Sequence, residues 1–139
     1  MPELFRTIAN RLREFVADRR RAPRYGVRLA VVVSLMNVRV VATPATLSGH
    51  TRDVSTGGLG LLLPAVRIGD RYLVGEDHTL RVTLKLPTGH ARLYGKPVRY
   101  ERLEEPHPDG AFFVGLRLEQ TGDPDYAAFA EYLESLKKP

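Results

Sequence analysis

The chain has no cysteine and no tryptophan among its 139 residues. Without cysteine, neither disulfides nor thiolate chemistry is available. No apolar run approaches the roughly 20 residues that a membrane-spanning helix needs. The longest, Leu29 to Val33, has the length of a strand, and Arg39 interrupts the next. The N-terminal stretch carries Glu3, Arg6, Arg11, Arg13 and Glu14, so it lacks the apolar segment of a signal peptide. Glu3, Glu14 and Asp18 also argue against an organelle presequence. The expectation is a cytoplasmic protein that does not span a membrane.

What is present is one domain's length of chain with enough apolar residues (43%) for a core. The net charge of +5 is unevenly placed. Residues 1–28 hold eight arginines against three acids, and the remainder is balanced. The excess therefore sits in one N-terminal segment, either as a solvated basic tail or as an anion-binding arm.

Periodicity divides the chain at residue 18. Leu4, Phe5, Ile8, Leu12, Phe15 and Val16 form one apolar stripe, which predicts an amphipathic helix over 3–18. That stripe needs a partner: the strand-rich remainder of the chain, a second copy in a homo-oligomer, or a region missing from this chain. Arg19 to Tyr25 reads as linker, since Pro23 biases Ala22 away from helix. From Val27 the pattern turns to strands. Val27 to Leu35 alternate and Val38 to Val41 extend them, with a turn at Thr43-Pro44. Further strands are expected near 46–54, 59–63, 72–74, 80–86, 91–103 and 111–118. Gly57-Gly58 marks a turn, Gly95 and Pro97 a bulge or bend, and Glu104 to Gly110 a polar turn. A helix follows Asp123-Pro124, with Tyr126, Phe129, Leu133 and Leu136 on one face and Lys137-Lys138 at its end. Short strands at this spacing predict an all-β barrel or sandwich with flanking helices.

Two spacings carry chemistry. Arg20-Arg21-Ala22-Pro23-Arg24 is an RxxxR, and Asp53-Val54-Ser55-Thr56-Gly57-Gly58 is a DxSxxG. By itself DxSxxG arises by chance in about one chain in thirty of this length at average usage, so order and context decide. The arginines precede the first strand, and DxSxxG precedes the apolar run Leu59 to Leu63. The bland alternative is that Asp53, Ser55 and the glycines merely build a tight turn, with the aspartate capping its own backbone.

This arrangement resembles the bacterial PilZ domain family. RRAPRYGVRLAVVV is similar to the family's arm and first strand, TRDVSTGGLGLLLP to its second motif and next strand, and DGAFFVGLRLEQ to its closing strand. The resemblance covers residues 19 to about 137 and leaves the helix at 3–18 outside, hence a division into 1–18 and 19–139. It implies a six-stranded antiparallel β-barrel that binds cyclic di-GMP. Its ligand-binding positions map onto Arg20, Arg24, Asp53, Ser55 and Gly58, and the expected site also includes their neighbours Arg19 and Gly57. Gly26 and Pro23 depart from the family's pattern without touching a motif position.

The chemistry suits that ligand, which offers two phosphates and two guanine Hoogsteen edges. An arginine fork pairs with phosphate or with guanine O6 and N7, and stacks on purine faces. A carboxylate at Asp53 suits the guanine N1–H and N2–H donors, and Ser55 can donate or accept. Gly58 is expected where a Cβ would be blocked by conformation or close approach. The expected mechanism is order–disorder: ligand bridges the arginine arm to the 53–58 loop and re-aims the 3–18 helix towards a downstream protein partner.

Other readings are weaker. Gly58-Leu59-Gly60 begins like a dinucleotide fingerprint but has no third glycine at 63. His50, His78, His90 and His107 lack ligand spacing, so no metal and no resident cofactor is expected. His107 and Asp109 sit in a Pro-containing turn, and no triad or acid–base pair can be assembled, so an enzyme is not expected. A nucleic-acid-binding barrel would use the basic arm on phosphates. Only Tyr94, Arg99 and Tyr100 hint at its binding face, and DNA is not expected as a partner. A PilZ-like protein–protein module that has lost its ligand is the remaining alternative.

Overall fold

The computed structural model describes residues 22–36, 45–73, 78–107, 110–119 and 121–137. The helix expected at 3–18, Arg19, Arg20, the extension and turn at 38–44, Val74 and Asp109 lie outside the described residues.

Eight strands and a helix follow in order. They are β1 (Ala30–Met36), β2 (Leu47–Ser55), β3 (Gly58–Leu63), β4 (Arg67–Ile68), β5 (Arg71–Tyr72), β6 (Thr79–Leu86), β7 (Gly89–His107), β8 (Gly110–Leu118) and α1 (Pro124–Leu136). Six of them close an antiparallel barrel in the order β1-β2-β3-β8-β7-β6. Closure leaves no free sheet edge around the ring, which removes the usual aggregation liability of an open sheet.

Alternation sorts the strands into two faces. Val31 and Val33, Leu59, Leu61 and Leu63, Leu80, Val82, Leu84 and Leu86, and Val114, Leu116 and Leu118 all point into one core. Phe129 and Leu133 of α1 join it, as do Ile68 and Leu73 from the β4–β5 excursion. Truncating a buried leucine such as Leu61 to alanine costs about 2–5 kcal/mol in a core of this kind. The β4–β5 turn places Gly69 at φ 57°, a conformation that disfavours any side chain.

Three expectations are corrected by pairing that a local pattern does not reveal. The short strand expected at 72–74 is Arg71–Tyr72, paired with Arg67–Ile68, while Leu73 turns into the core. The polar turn expected at 104–110 is mostly strand: β7 runs on to His107, which pairs with Gly110. The register with β8 shifts between Arg102 and His107, and the His107–Gly110 pair ends the ladder. Val27 and Leu29 precede β1 rather than begin it, although they are fixed to β2 as described below.

Two strands are bulged. β2 shifts register between Thr51 and Asp53, and β7 between Pro97 and Arg99. The second fits the bend expected around Gly95 and Pro97. Each bulge inserts one residue, Arg52 and Val98 respectively, and re-aims its neighbours.

At the start of α1, Asp123 caps the helix, accepting from the Tyr126 N–H at 2.9 Å and from the Thr121 hydroxyl at 2.7 Å. The Tyr126 N–H above all, and Thr121 after it, hold the Asp123 carboxyl below its ordinary pKa. At the other end Lys137 pairs with Glu134 at 2.9 Å.

Candidate functional site

The β2–β3 hairpin carries the DxSxxG sequence. Ser55 pairs with Gly58, leaving Thr56 and Gly57 as the two-residue turn. The Ser55 hydroxyl is buried and committed to that turn. It accepts from the Gly58 N–H at 3.1 Å and donates to the Gly58 carbonyl at 3.2 Å. The turn is then tied to its surroundings. The Gly57 carbonyl accepts from the Leu118 N–H at 3.0 Å, and the Thr56 carbonyl accepts from the Tyr126 hydroxyl at 2.9 Å. The serine is therefore the turn-closing member of the motif, a role the bland sequence reading gave to the aspartate.

Gly58 is bare because of close approach. A Cβ there would lie 2.8 Å from the Leu116 carbonyl oxygen, and Arg24 Nη2 passes 4.0 Å from the same point.

Asp53 does not cap its own backbone. Its carboxylate takes Arg24 Nη1 at 3.2 Å on Oδ1 and Arg52 Nε at 3.1 Å on Oδ2. The bulge at Arg52 brings these consecutive side chains together. The Arg24 and Asp53 side chains are 28% and 15% exposed, so the pair is half out of water. The contact is not a well-aligned hydrogen bond. Arg24 Nε and Asp53 Oδ1 are both buried without a hydrogen-bond partner among the described residues. Buried polar atoms in native proteins are nearly always satisfied, by protein groups, water or an ion, so both atoms have capacity for a further partner.

The arm leading to Arg24 has a seat on the barrel, which corrects the expectation that Arg24 and Tyr25 are mere linker. Tyr25 and Val54 exchange two backbone hydrogen bonds of 2.9 Å. Thr51 fastens the next turn of chain. Its hydroxyl accepts from the Leu29 N–H at 2.9 Å and donates to the Val27 carbonyl at 2.6 Å, while its own N–H donates to the Leu29 carbonyl at 2.9 Å. The arm thus continues the line of β1 along β2, and places Arg24 over the hairpin. The structure brings together Arg24, Asp53, Ser55, Gly57 and Gly58.

Sequence reasoning missed the rest of this face. Asp53 pairs with Gly60, Gly60 with Gly115, and Gly115 with Arg99, so one row crosses four strands with two bare glycines in its middle. A Cβ on Gly60 would meet Asp53 Oδ2 and Phe113 Cε2 at 2.8 Å each. The Phe113 ring lies beside that floor, with the Arg52 guanidinium 3.8 Å and the Arg99 guanidinium 5.2 Å from its centre. Spaced glycines after a DxSxxG were a visible signal. Their alignment across strands was not.

A closed six-stranded barrel with the Arg24–Tyr25 segment laid against its β2–β3 hairpin defines a class of small β-barrel domain. The PilZ domain family model matches residues 18–135, and the chain belongs to that family. Among solved structures, the chain is similar to the PilZ domain with c-di-GMP of YcgR from Escherichia coli. Identity there is 15% over 86% of this chain and 92% of that one, with a TM-score of 0.61. It is similar also to the PilZ domain of CeSA from a cellulose-synthesizing bacterium, at 12% identity over 82% of this chain and 98% of that one, TM-score 0.55. A third is the Bacillus subtilis inhibitor of motility MotI/DgrA, at 16% identity and TM-score 0.55. There the match covers 87% of this chain but 53% of that one, so the chain spans about half of its length. No curated protein matches the chain.

Proposed function

We propose that this protein is a cyclic di-GMP-binding sensor or adaptor without bond-making chemistry. The observation that carries the reading is the half-buried meeting of Arg24 and Asp53, each with an unsatisfied polar atom. A guanine placed there gives N1–H and N2–H to the carboxylate, and its O6 and N7, or a phosphate, to the guanidinium. Arg19 and Arg20, upstream on the same arm, supply further forks for the second phosphate or base. Ser55 and Gly58 shape the hairpin that holds Asp53 in position. The YcgR structure named above contains c-di-GMP on the same fold, which supports the ligand class.

In this mechanism the ligand fastens the arm upstream of Arg24 to the hairpin. The movement re-aims the segment at 1–18 and so changes what a protein partner, or a second copy, can reach. Among the described residues no helix is long and apolar enough to cross a membrane.

Paired substitutions test the proposal. Removing one member of a buried charge-assisted contact costs about 2–5 kcal/mol, or roughly 30-fold to over a thousandfold in affinity. Arg20→Ala, Arg24→Ala and Asp53→Ala should each lose binding on that scale in titration calorimetry, with little change in melting temperature. If Asp53→Ala unfolds the barrel while the remaining folded molecules bind normally, the residue is structural and the proposal fails.

A further inference from the structure

Three bare glycines pave the outer face of the barrel next to Asp53. Gly58, Gly60 and Gly115 all stand opposite the inward set of Leu59, Leu61, Val114 and Leu116. The row Asp53–Gly60–Gly115–Arg99 spans three inter-strand gaps, about 14 Å at the usual spacing of about 4.8 Å. It has a carboxylate at one end and a guanidinium at the other.

Both ends are bulged. The insertion at Arg52 turns Arg52 and Asp53 to the same side, and the insertion at Val98 sets Arg99 opposite Gly115. Arg99 then lies close along the glycine, with its Cγ 3.3 Å and its Nε 3.6 Å from where a Gly115 Cβ would be. Phe113 shares this outer face. It is fully buried, yet stands apart from the barrel core. Its ring holds two guanidiniums at cation–π distance.

These contacts have a consequence for ligand binding. A guanidinium laid on an aromatic ring has its opposite planar face available for a second flat group. Arg52 is anchored twice, on the ring and on Asp53. Arg99 is exposed and is held by the ring and the glycine floor. Arg24, Arg52 and Arg99 against Asp53 leave two positive charges in excess, which matches a ligand with two phosphates.

We propose that Arg99 is a further ligand-contacting residue, whose exposed guanidinium, steadied by Phe113 at the far end of the row from Asp53, stacks on the second guanine of cyclic di-GMP. The inference rests on the function proposed above and extends it from the two sequence motifs to β7 and β8. Glycine at 60 and 115 leaves room for the Asp53 carboxylate, the Phe113 ring and the Arg99 stem, which pack over the two positions.

Calorimetry on the full chain with cyclic di-GMP tests it, using wild type, Arg99→Ala, Arg99→Lys and Asp53→Ala. Stacking of a base on a flat side chain is strong enough that Arg99→Ala should weaken binding about tenfold or more. Its melting temperature should fall only slightly, because Arg99 is exposed and only its stem and one guanidinium face lie against Gly115 and Phe113. Arg99→Lys keeps the charge and loses the plane, so it should remain closer to Arg99→Ala than to wild type. Wild-type affinity in Arg99→Ala, with binding lost in Asp53→Ala, would overturn the Arg99 assignment and leave the ligand assignment standing. Full recovery in Arg99→Lys would overturn stacking, since charge alone would suffice. Absence of binding by wild type would overturn both.

Discussion

Ser55 and Asp53 are two residues apart and do different work. The Ser55 hydroxyl makes two hydrogen bonds inside its own hairpin, whereas the Asp53 carboxylate faces guanidiniums of the arm and of the bulge. Their alanine variants should therefore separate. Ser55→Ala removes two buried hydrogen bonds to Gly58, at about 0.5–1.5 kcal/mol each. It should lower the melting temperature while the folded fraction still binds. Asp53→Ala should show the reverse. Gly60→Ala is a sharper probe of the same geometry. Its methyl would sit 2.8 Å from the Asp53 carboxylate and from the Phe113 ring, so one of them must move. Overpacking of this kind costs about 1–3 kcal/mol. The variant should lose both melting temperature and cyclic di-GMP affinity; unchanged affinity would show that Asp53 is not held against that glycine.

Among the elements, the strands were legible in sequence where alternation is clean, as in β1, β6 and β8, and so was α1 from its Asp-Pro start. The connection of β7 to β8 was misjudged because residues 104–107 are polar, yet β7 runs on through a register shift to the His107–Gly110 pair. The Arg52–Phe113–Arg99 cluster was illegible for a related reason. It depends on two bulges and on the register of four strands, none of which is a local pattern. The seat of Tyr25 on Val54 was hidden likewise, since the arm's arginines and Pro23 read as linker.

Two predictions belong to this scale. The Asp123 cap has a depressed folded pKa, so its contribution is present above the ordinary aspartate pKa of about 3.9 and fades as pH falls through the folded value. Asp123→Ala should lower the melting temperature at pH 7, and the gap from wild type should close as pH falls below the ordinary aspartate value and through the lowered folded one. A gap that does not narrow would mean that the carboxylate is not the active cap. In hydrogen exchange, the amides of Tyr25, Thr51 and Val54 should be slow from the outset, because each is bonded between arm and β2. Cyclic di-GMP should add protection at 19–23 and at 53–58 and none at 80–86. Protection of 19–23 before ligand is added would argue against ligand-driven fastening of the arm.

For the whole molecule, barrel, hairpin and C-terminal helix form one connected body. Tyr126 bonds the helix to the Thr56 carbonyl, Asp125 accepts the Arg92 N–H at 2.8 Å, and Phe129 and Leu133 enter the core. Under the proposed mechanism a ligand at the hairpin acts on this connected body, and the movable part is the chain upstream of Arg24. The most direct test of the account is calorimetric titration of the purified protein with cyclic di-GMP, alongside cyclic di-AMP, GMP and GTP. Adenine presents an N6 amino donor where guanine presents the O6 acceptor, so an arginine fork meets a donor there. Cyclic di-GMP should bind more tightly than the other three. Equal binding of the two cyclic dinucleotides, or binding of neither, would contradict the account.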